Sequence, residues 1–381
     1  MKRRLRSVPV PAEAGERAWK VVRAAFAERE PAPARRRVVR PALALAAVLA
    51  VVAAAVSPAG RAVLGSLRDS IAGERHAAPA LFSLPAGGRL LVTSADGPWV
   101  VQRNGSKRLL GHYAEASWSP QGKFVVVTRG HELFAVEPAK GDVHWSLARR
   151  GLVRYARWSP DGFRIAYIAG HTLRVVAGDG TGDHLLVRRV TPEAPVWVPG
   201  KPHLLAYQTP GGVLRVVDPD GNTTIRAFRL PIAGELSWSA DGAFITVHND
   251  RLLFSLTSDG TGFEGISTRS LGSEPGTILG SAFAPRGHAF AYVIRDREHE
   301  RSIVSVEMRS ARLQRQRRLF SVLGTIDQIA WAPDGRWLLV TLPAADQWVF
   351  VRARGPGLRA VSNIAQQFGG SFPALGGWCC A

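Results

Sequence analysis

An all-β fold built from stacked four-stranded units is what this sequence predicts, and three observations predict it. First, a tryptophan-led turn recurs from residue 118 to residue 335. Second, each turn is followed by a short apolar run rich in β-favouring residues, and a second glycine turn follows in fixed phase. Third, the 381 residues hold 39 Gly and 25 Pro but only two Cys, so turns are frequent and a disulfide-built scaffold is excluded.

The turns are Trp118-Ser119-Pro120-Gln121-Gly122, Trp158-Ser159-Pro160-Asp161-Gly162, Trp197-Val198-Pro199-Gly200, Trp238-Ser239-Ala240-Asp241-Gly242, Phe283-Ala284-Pro285-Arg286-Gly287 and Trp331-Ala332-Pro333-Asp334-Gly335. They are spaced by 40, 39, 41, 45 and 48 residues. Pro presets φ at the first central position, Asp suits the second, and Gly accepts the positive φ that follows. Each unit therefore opens with a tight hairpin. A second turn lies at Gly141, Gly180, Gly221 and Gly260, which fall 23, 22, 24 and 22 residues after their tryptophans. The same phase run backwards from Gly105 reaches Phe82, where Ser83-Leu84-Pro85-Ala86-Gly87 is a worn version of the first turn. Run forwards from Trp331, it reaches Gly355.

About seven units of four short strands result, and the period is that of a β-propeller, whose blades must stack to bury their faces. Six or eight blades stay open from spacing alone. Leu375–Trp378 is expected beside Arg89–Val92, closing one blade with both ends of the ring. The Trp-Ser-Pro-Asp-Gly motif followed by Ile-Ala-Tyr resembles the WD40-like repeat of the TolB-type propeller family over roughly residues 80–378. The sequence departs from that pattern at Pro199-Gly200, Ala240, Phe283 and Arg286, and lacks the Gly-His and Trp-Asp pairs of ordinary WD40 repeats. Some TolB-type propellers are fused to serine peptidases. Here the likeness runs to the last residues, so no peptidase is expected.

Ahead of the ring, Pro41 to Gly60 is twenty residues without a charge, and Ala42 to Val56 is wholly apolar. As a helix, such a segment spans about 30 Å, the thickness of a bilayer core. Residues 1–40 carry twelve basic and four acidic side chains, +8 of the chain's +19, and leave +11 for the rest. The positive-inside rule then places residues 1–40 in the cytoplasm and residues 61–381 outside, as a single-pass protein of the cell membrane. A cleaved signal peptide ending near Ser57-Pro58-Ala59 is the competing reading, and the long basic head argues against it. The expected organisation is a head at 1–40, an anchor at 41–60, an amphipathic stalk at 61–79 and a propeller at 80–381.

Within the head, Trp19, Val22 and Phe26 recur at helical spacing and make a short amphipathic helix suited to a cytoplasmic protein or to the anionic inner leaflet. In the ring, His131 and His171 occupy the same turn of adjacent units, thirteen residues after Trp118 and Trp158, and so present two imidazoles on one rim. Repeat ancestry explains the pair as well as a ligand does. Arg312, Arg315, Arg317 and Arg318 form a basic run in the longest unit, read either as protection of an exposed strand edge or as a patch for anionic lipid or wall polymer. Cys379 and Cys380, being adjacent, can make a vicinal bridge, pair with another molecule or stay free.

No Gly-x-Ser-x-Gly elbow, His-Glu-x-x-His helix or phosphate loop occurs. The segment Glu137 to Trp145 resembles one tryptophan-docking repeat of quinoprotein propellers, but it occurs once, and no cofactor is expected. The sequence thus points to a non-catalytic, membrane-anchored binding module or scaffold of the bacterial envelope with a protein partner and no nucleic acid. The alternative is a transmembrane regulator laid out like an anti-sigma factor, whose head binds a transcription factor; an enzyme is the least favoured reading.

Overall fold

The structure is a computed structural model, and it describes residues 83–201, 203–230, 232–249, 252–258, 263–267, 277–296, 300–308 and 315–380. The predicted head, anchor and stalk, with Trp19, Val22 and Phe26, lie outside the described residues. Among the described residues no helix is long and apolar enough to cross a membrane.

Among the described residues from 83 onward the chain forms twenty-eight strands, β1 to β28 in chain order, arranged as seven four-stranded antiparallel sheets. This is the predicted blade architecture, and the number is seven. The first strand of each blade lies innermost: β28 (Ala374–Cys379), β4 (Glu115–Trp118), β8 (Val153–Trp158), β12 (Val196–Trp197), β16 (Glu235–Trp238), β20 (Thr277–Phe283) and β24 (Ile329–Trp331). Each of these touches the first strand of the next blade, and β24 touches β28, so the seven close a ring around a central channel.

Closure uses both ends of the ring. Strand β28 pairs antiparallel with β1 (Arg89–Ser94), with Leu90 opposite Trp378 and Arg89 opposite Cys379. Trp378 therefore stands where Trp158 stands in its own blade, opposite Ile165. Ser83–Gly87 leads into β1 without forming a strand, because the first strand of that blade is supplied from residues 374–379.

Among the described residues the core is divided into seven apolar clusters, and each joins two neighbouring blades. Alternation along a strand dictates this, since successive side chains face opposite sides of a sheet. Leu91 packs toward the blade of β4, whereas Leu90 and Val92 pack toward the blade of β24. A slip of one residue would exchange the two faces of a blade, so register is strongly specified.

The repeat turns have the predicted chemistry. Ser159 Oγ donates to Asp161 Oδ1 at 2.5 Å and accepts the Arg164 N–H at 2.9 Å, while Gly162, at φ 79°, donates its N–H to the Ser159 carbonyl at 2.9 Å. Ser239 and Asp241 repeat the arrangement. The tryptophans then tie blade to blade. Trp118, Trp197 and Trp331 donate from Nε1 to the carbonyls of Gly377, Arg157 and Ala282, at 3.3, 2.9 and 2.9 Å. Each acceptor is the residue just before the repeat aromatic of the preceding blade.

A second set of ties runs along the outer strands. Trp145 in β7 (Val143–Ala148) donates from Nε1 to Gly178 O at 3.0 Å, and His184 Nε2 in β11 (His184–Val187) lies 3.3 Å from Pro219 O. Arg226 in β15 (Thr223–Arg229) donates to Ser258 O, and Arg317 in β23 (Arg315–Leu323) to Ala353 O. Every acceptor is the first residue past the third strand of the next blade. Between the second and third blades, Asp183 also receives Arg149, Arg174 and the Tyr167 hydroxyl, and burial together with that hydrogen bond pushes the Tyr167 phenol up to about 12.

Candidate functional site

Both ends of the ring collect loops from all blades, and the two ends differ chemically. One rim carries the starts of the first strands and the turns that bear His131 and His171. The opposite rim carries the tryptophan-led turns.

At the first rim, charged side chains from three blades meet in the channel mouth. The decisive local feature is a register shift in β8 between Arg154 and Arg157, where Tyr155 adopts φ 58°. A left-handed aromatic residue costs about 1–2 kcal/mol and needs local support. The Glu115 carboxylate of the preceding blade gives it, accepting the Tyr155 N–H at 2.6 Å. Arg157, beyond the shift, feels the charge of Glu115 from the preceding blade and of Glu235 from two blades away, as a group on an innermost strand can.

Electrostatics follow from this crowding. Burial draws the Arg157 guanidinium below its usual range, opposed by the charges of Glu115 and Glu235. Burial also holds Glu193 above the usual carboxylate range, with the Glu235 charge adding to the effect. His248 at the end of β17 (Phe244–His248) is buried, with Nδ1 3.2 Å from Ser281 Oγ and Nε2 3.8 Å from Glu235 Oε2. Its imidazole is held below the usual histidine range by burial, which the Glu235 charge partly offsets. Gly234 permits the packing, because a Cβ there would stand 1.9 Å from the His248 carbonyl oxygen. Gln208 completes the wall, donating to the Gly234 carbonyl and accepting its N–H at 3.3 Å.

His131 and His171 lie on this rim, both exposed, in the turns after β5 (Val125–Arg129) and β9 (Arg164–Ala169). Their carbonyls accept from Arg149 N at 2.8 Å and from Val190 N at 3.1 Å, so the two turns are equivalent in backbone terms. Among the described residues, no group of three or more His, Cys, Asp or Glu is placed to hold a metal ion. Of the basic run, Arg312 lies outside the described residues, Arg315 begins β23, and Arg317 and Arg318 are exposed on its opposite faces. Arg317 faces the next blade, where it makes the tie to Ala353. The run is therefore divided between a blade seam and the outer surface.

Trp145, singled out by its resemblance to a docking repeat, does dock, with Nε1 on the next blade and its ring against Gly180. Cys379 and Cys380 are joined in a vicinal disulfide beside Ser119 and Pro120 of the next blade's turn. Sequence reasoning did not find the channel-mouth residues. A signal was present, since Glu115 and Glu235 both stand three residues before a repeat tryptophan and Arg157 one before.

The sequence matches no protein-family model, and comparison with curated proteins finds no significant relative. Solved structures are similar. Hsv2 of Kluyveromyces lactis superposes with a TM-score of 0.55 at 11% identity, covering 73% of this chain and 95% of that one. The β-propeller domain of Cps50 (Swd1) from Myceliophteria thermophila gives 0.52 at 15% identity, covering 68% and 94%. These likenesses show the fold. It is a seven-bladed β-propeller. Such a ring suits a scaffold for protein partners, because loops from every blade converge on each rim.

Proposed function

We propose that this chain is a membrane-anchored, extracytoplasmic propeller of TolB-like repeat type that acts without catalysis as a binding module for a protein partner in the bacterial envelope. The channel mouth is the surface that carries this reading. Three carboxylates, Glu115, Glu193 and Glu235, come from separate blades or their connections: the charges of Glu115 and Glu235 act on Arg157, and that of Glu235 acts on Glu193. Glu235 is well exposed, with a side-chain accessibility of 68%, so charge is available to a partner rather than consumed within the wall. A partner presenting a basic segment is complementary to it. The uncharged stretch 41–60 behind a +8 head supports the anchor and its orientation.

The test is crosslinking in cells followed by recovery on the ring, comparing the native chain with Glu193→Lys/Glu235→Lys. Loss of a specific partner with the charge-reversed pair, while melting of the ring is unchanged, supports the reading. Recovery of the same partner in equal amount contradicts it.

A further inference from the structure

The opposite rim carries a cleft with a different chemistry. Between the blades of β20 and β24 lies a cavity of about 620 Å³ lined by Arg286, Arg317, Arg336, Arg352 and Arg354, with Asp334 as its single carboxylate. That size is in the range of small-molecule sites. Asp334 Oδ1 accepts the backbone N–H of Arg336 at 2.9 Å, so it already serves its turn. Among the described residues, Arg286, Arg336, Arg352 and Arg354 make no ion pair.

The internal repeat supplies a control. A cavity of about 540 Å³ occupies the same place between the blades of β4 and β8, framed by the same turns. There the counterpart of Arg336 is Phe163, each following the turn glycine. The counterpart of Arg317 is Trp145, each tied to the carbonyl beyond the next blade's third strand. Ala177 stands for Arg352, and Asp179 for Arg354. The architecture therefore produces a cleft at this seam, but it does not require arginine in it. A codon bias toward arginine would raise both clefts alike, whereas only one has five guanidinium groups.

Like charges lining one cleft repel unless an anion joins them, and planar guanidinium groups match tetrahedral oxyanions with paired N–H donors. We infer that the cleft between the sixth and seventh blades binds a phosphorylated ligand carrying at least two negative charges. Arg336 and Arg354 provide exposed jaws, and Arg317, already held by the Ala353 carbonyl, provides a fixed donor in the same lining. The site is on the rim away from the channel mouth and does not depend on the partner-binding role.

The experiment is calorimetric titration of the full chain in neutral detergent with inorganic pyrophosphate, and separately with dihexanoyl phosphatidic acid as a soluble headgroup. Saturable binding of one equivalent is expected, weakened about tenfold or more in Arg336→Gln/Arg354→Gln. Arg188→Gln/Arg189→Gln, the same charge loss at exposed positions elsewhere on the ring, should bind as the native chain does. Preference for pyrophosphate assigns a soluble ligand, and preference for the phosphatidic acid assigns a headgroup. Absence of saturable binding to either probe, or equal weakening in both double variants with melting unchanged, overturns the inference.

Discussion

The indole Nε1 of Trp197 donates to the Arg157 carbonyl at 2.9 Å, across the seam between the third and fourth blades. Arg157 thereby serves two purposes, with its backbone closing a seam and its side chain charging the channel. The relation recurs in Trp118 with Gly377 and in Trp331 with Ala282, so the motif that reveals the repeat also fastens one blade to the next.

Trp197→Phe should lower stability by about 1 kcal/mol through the lost hydrogen bond, beyond any packing change. Trp238 is buried to a similar degree, yet its Nε1 has no hydrogen-bond partner. Trp238→Phe should therefore cost less. Urea denaturation of the two variants measures the difference, and equal losses would show that the indole bond contributes nothing.

Glu115→Ala removes the acceptor that supports the left-handed backbone of Tyr155. A loss of roughly 1–3 kcal/mol is expected from stranding that N–H, with the register shift relaxing. Glu115→Gln keeps an acceptor oxygen and should recover most of it. Denaturation midpoints check the order of the three proteins.

His248 makes stability depend on pH. Burial holds its folded pKa below the unfolded value of about 6.5, so the unfolded chain binds the proton more readily. Its contribution is fully present above that unfolded value and is lost as pH falls through the depressed folded one. His248→Asn should flatten the fall in melting temperature below about pH 6.5 relative to the native chain. An unchanged slope would remove His248 as the cause.

Strand β28 closes the ring, and Trp378 anchors it in the cluster shared by the first and last blades, with its Nε1 donating to Gly87 O at 3.1 Å. Trp378→Ala should destabilise the ring by about 3–5 kcal/mol, as large aromatic deletions in cores do. Calorimetric melting reads this directly.

The turn chemistry was legible because it is local. Ser159, Asp161 and Gly162 act within five residues, and a sequence pattern carries such relations in full. The closing pair of Arg89–Val92 with Leu375–Trp378 was also legible, since the first and last strands of such rings commonly close one blade together. The channel mouth was not. Glu115, Arg157 and Glu235 are far apart in sequence and meet only because seven first strands face one axis. The register shift at Tyr155 leaves no compositional mark, as tyrosine is a residue for which positive φ is unexpected. The seam contact of Arg317 was not legible, because strand alternation, which turns it toward the next blade and Arg318 away, depends on where β23 starts.

The central claim is that the ring lies outside the cytoplasm behind a single anchor. Alkaline phosphatase fused after Gly73, with residues 1–73 retained, measures it most directly, because that enzyme becomes active only after export. An active, membrane-bound fusion is the predicted result, and an inactive fusion retained in the cytoplasm would contradict the account.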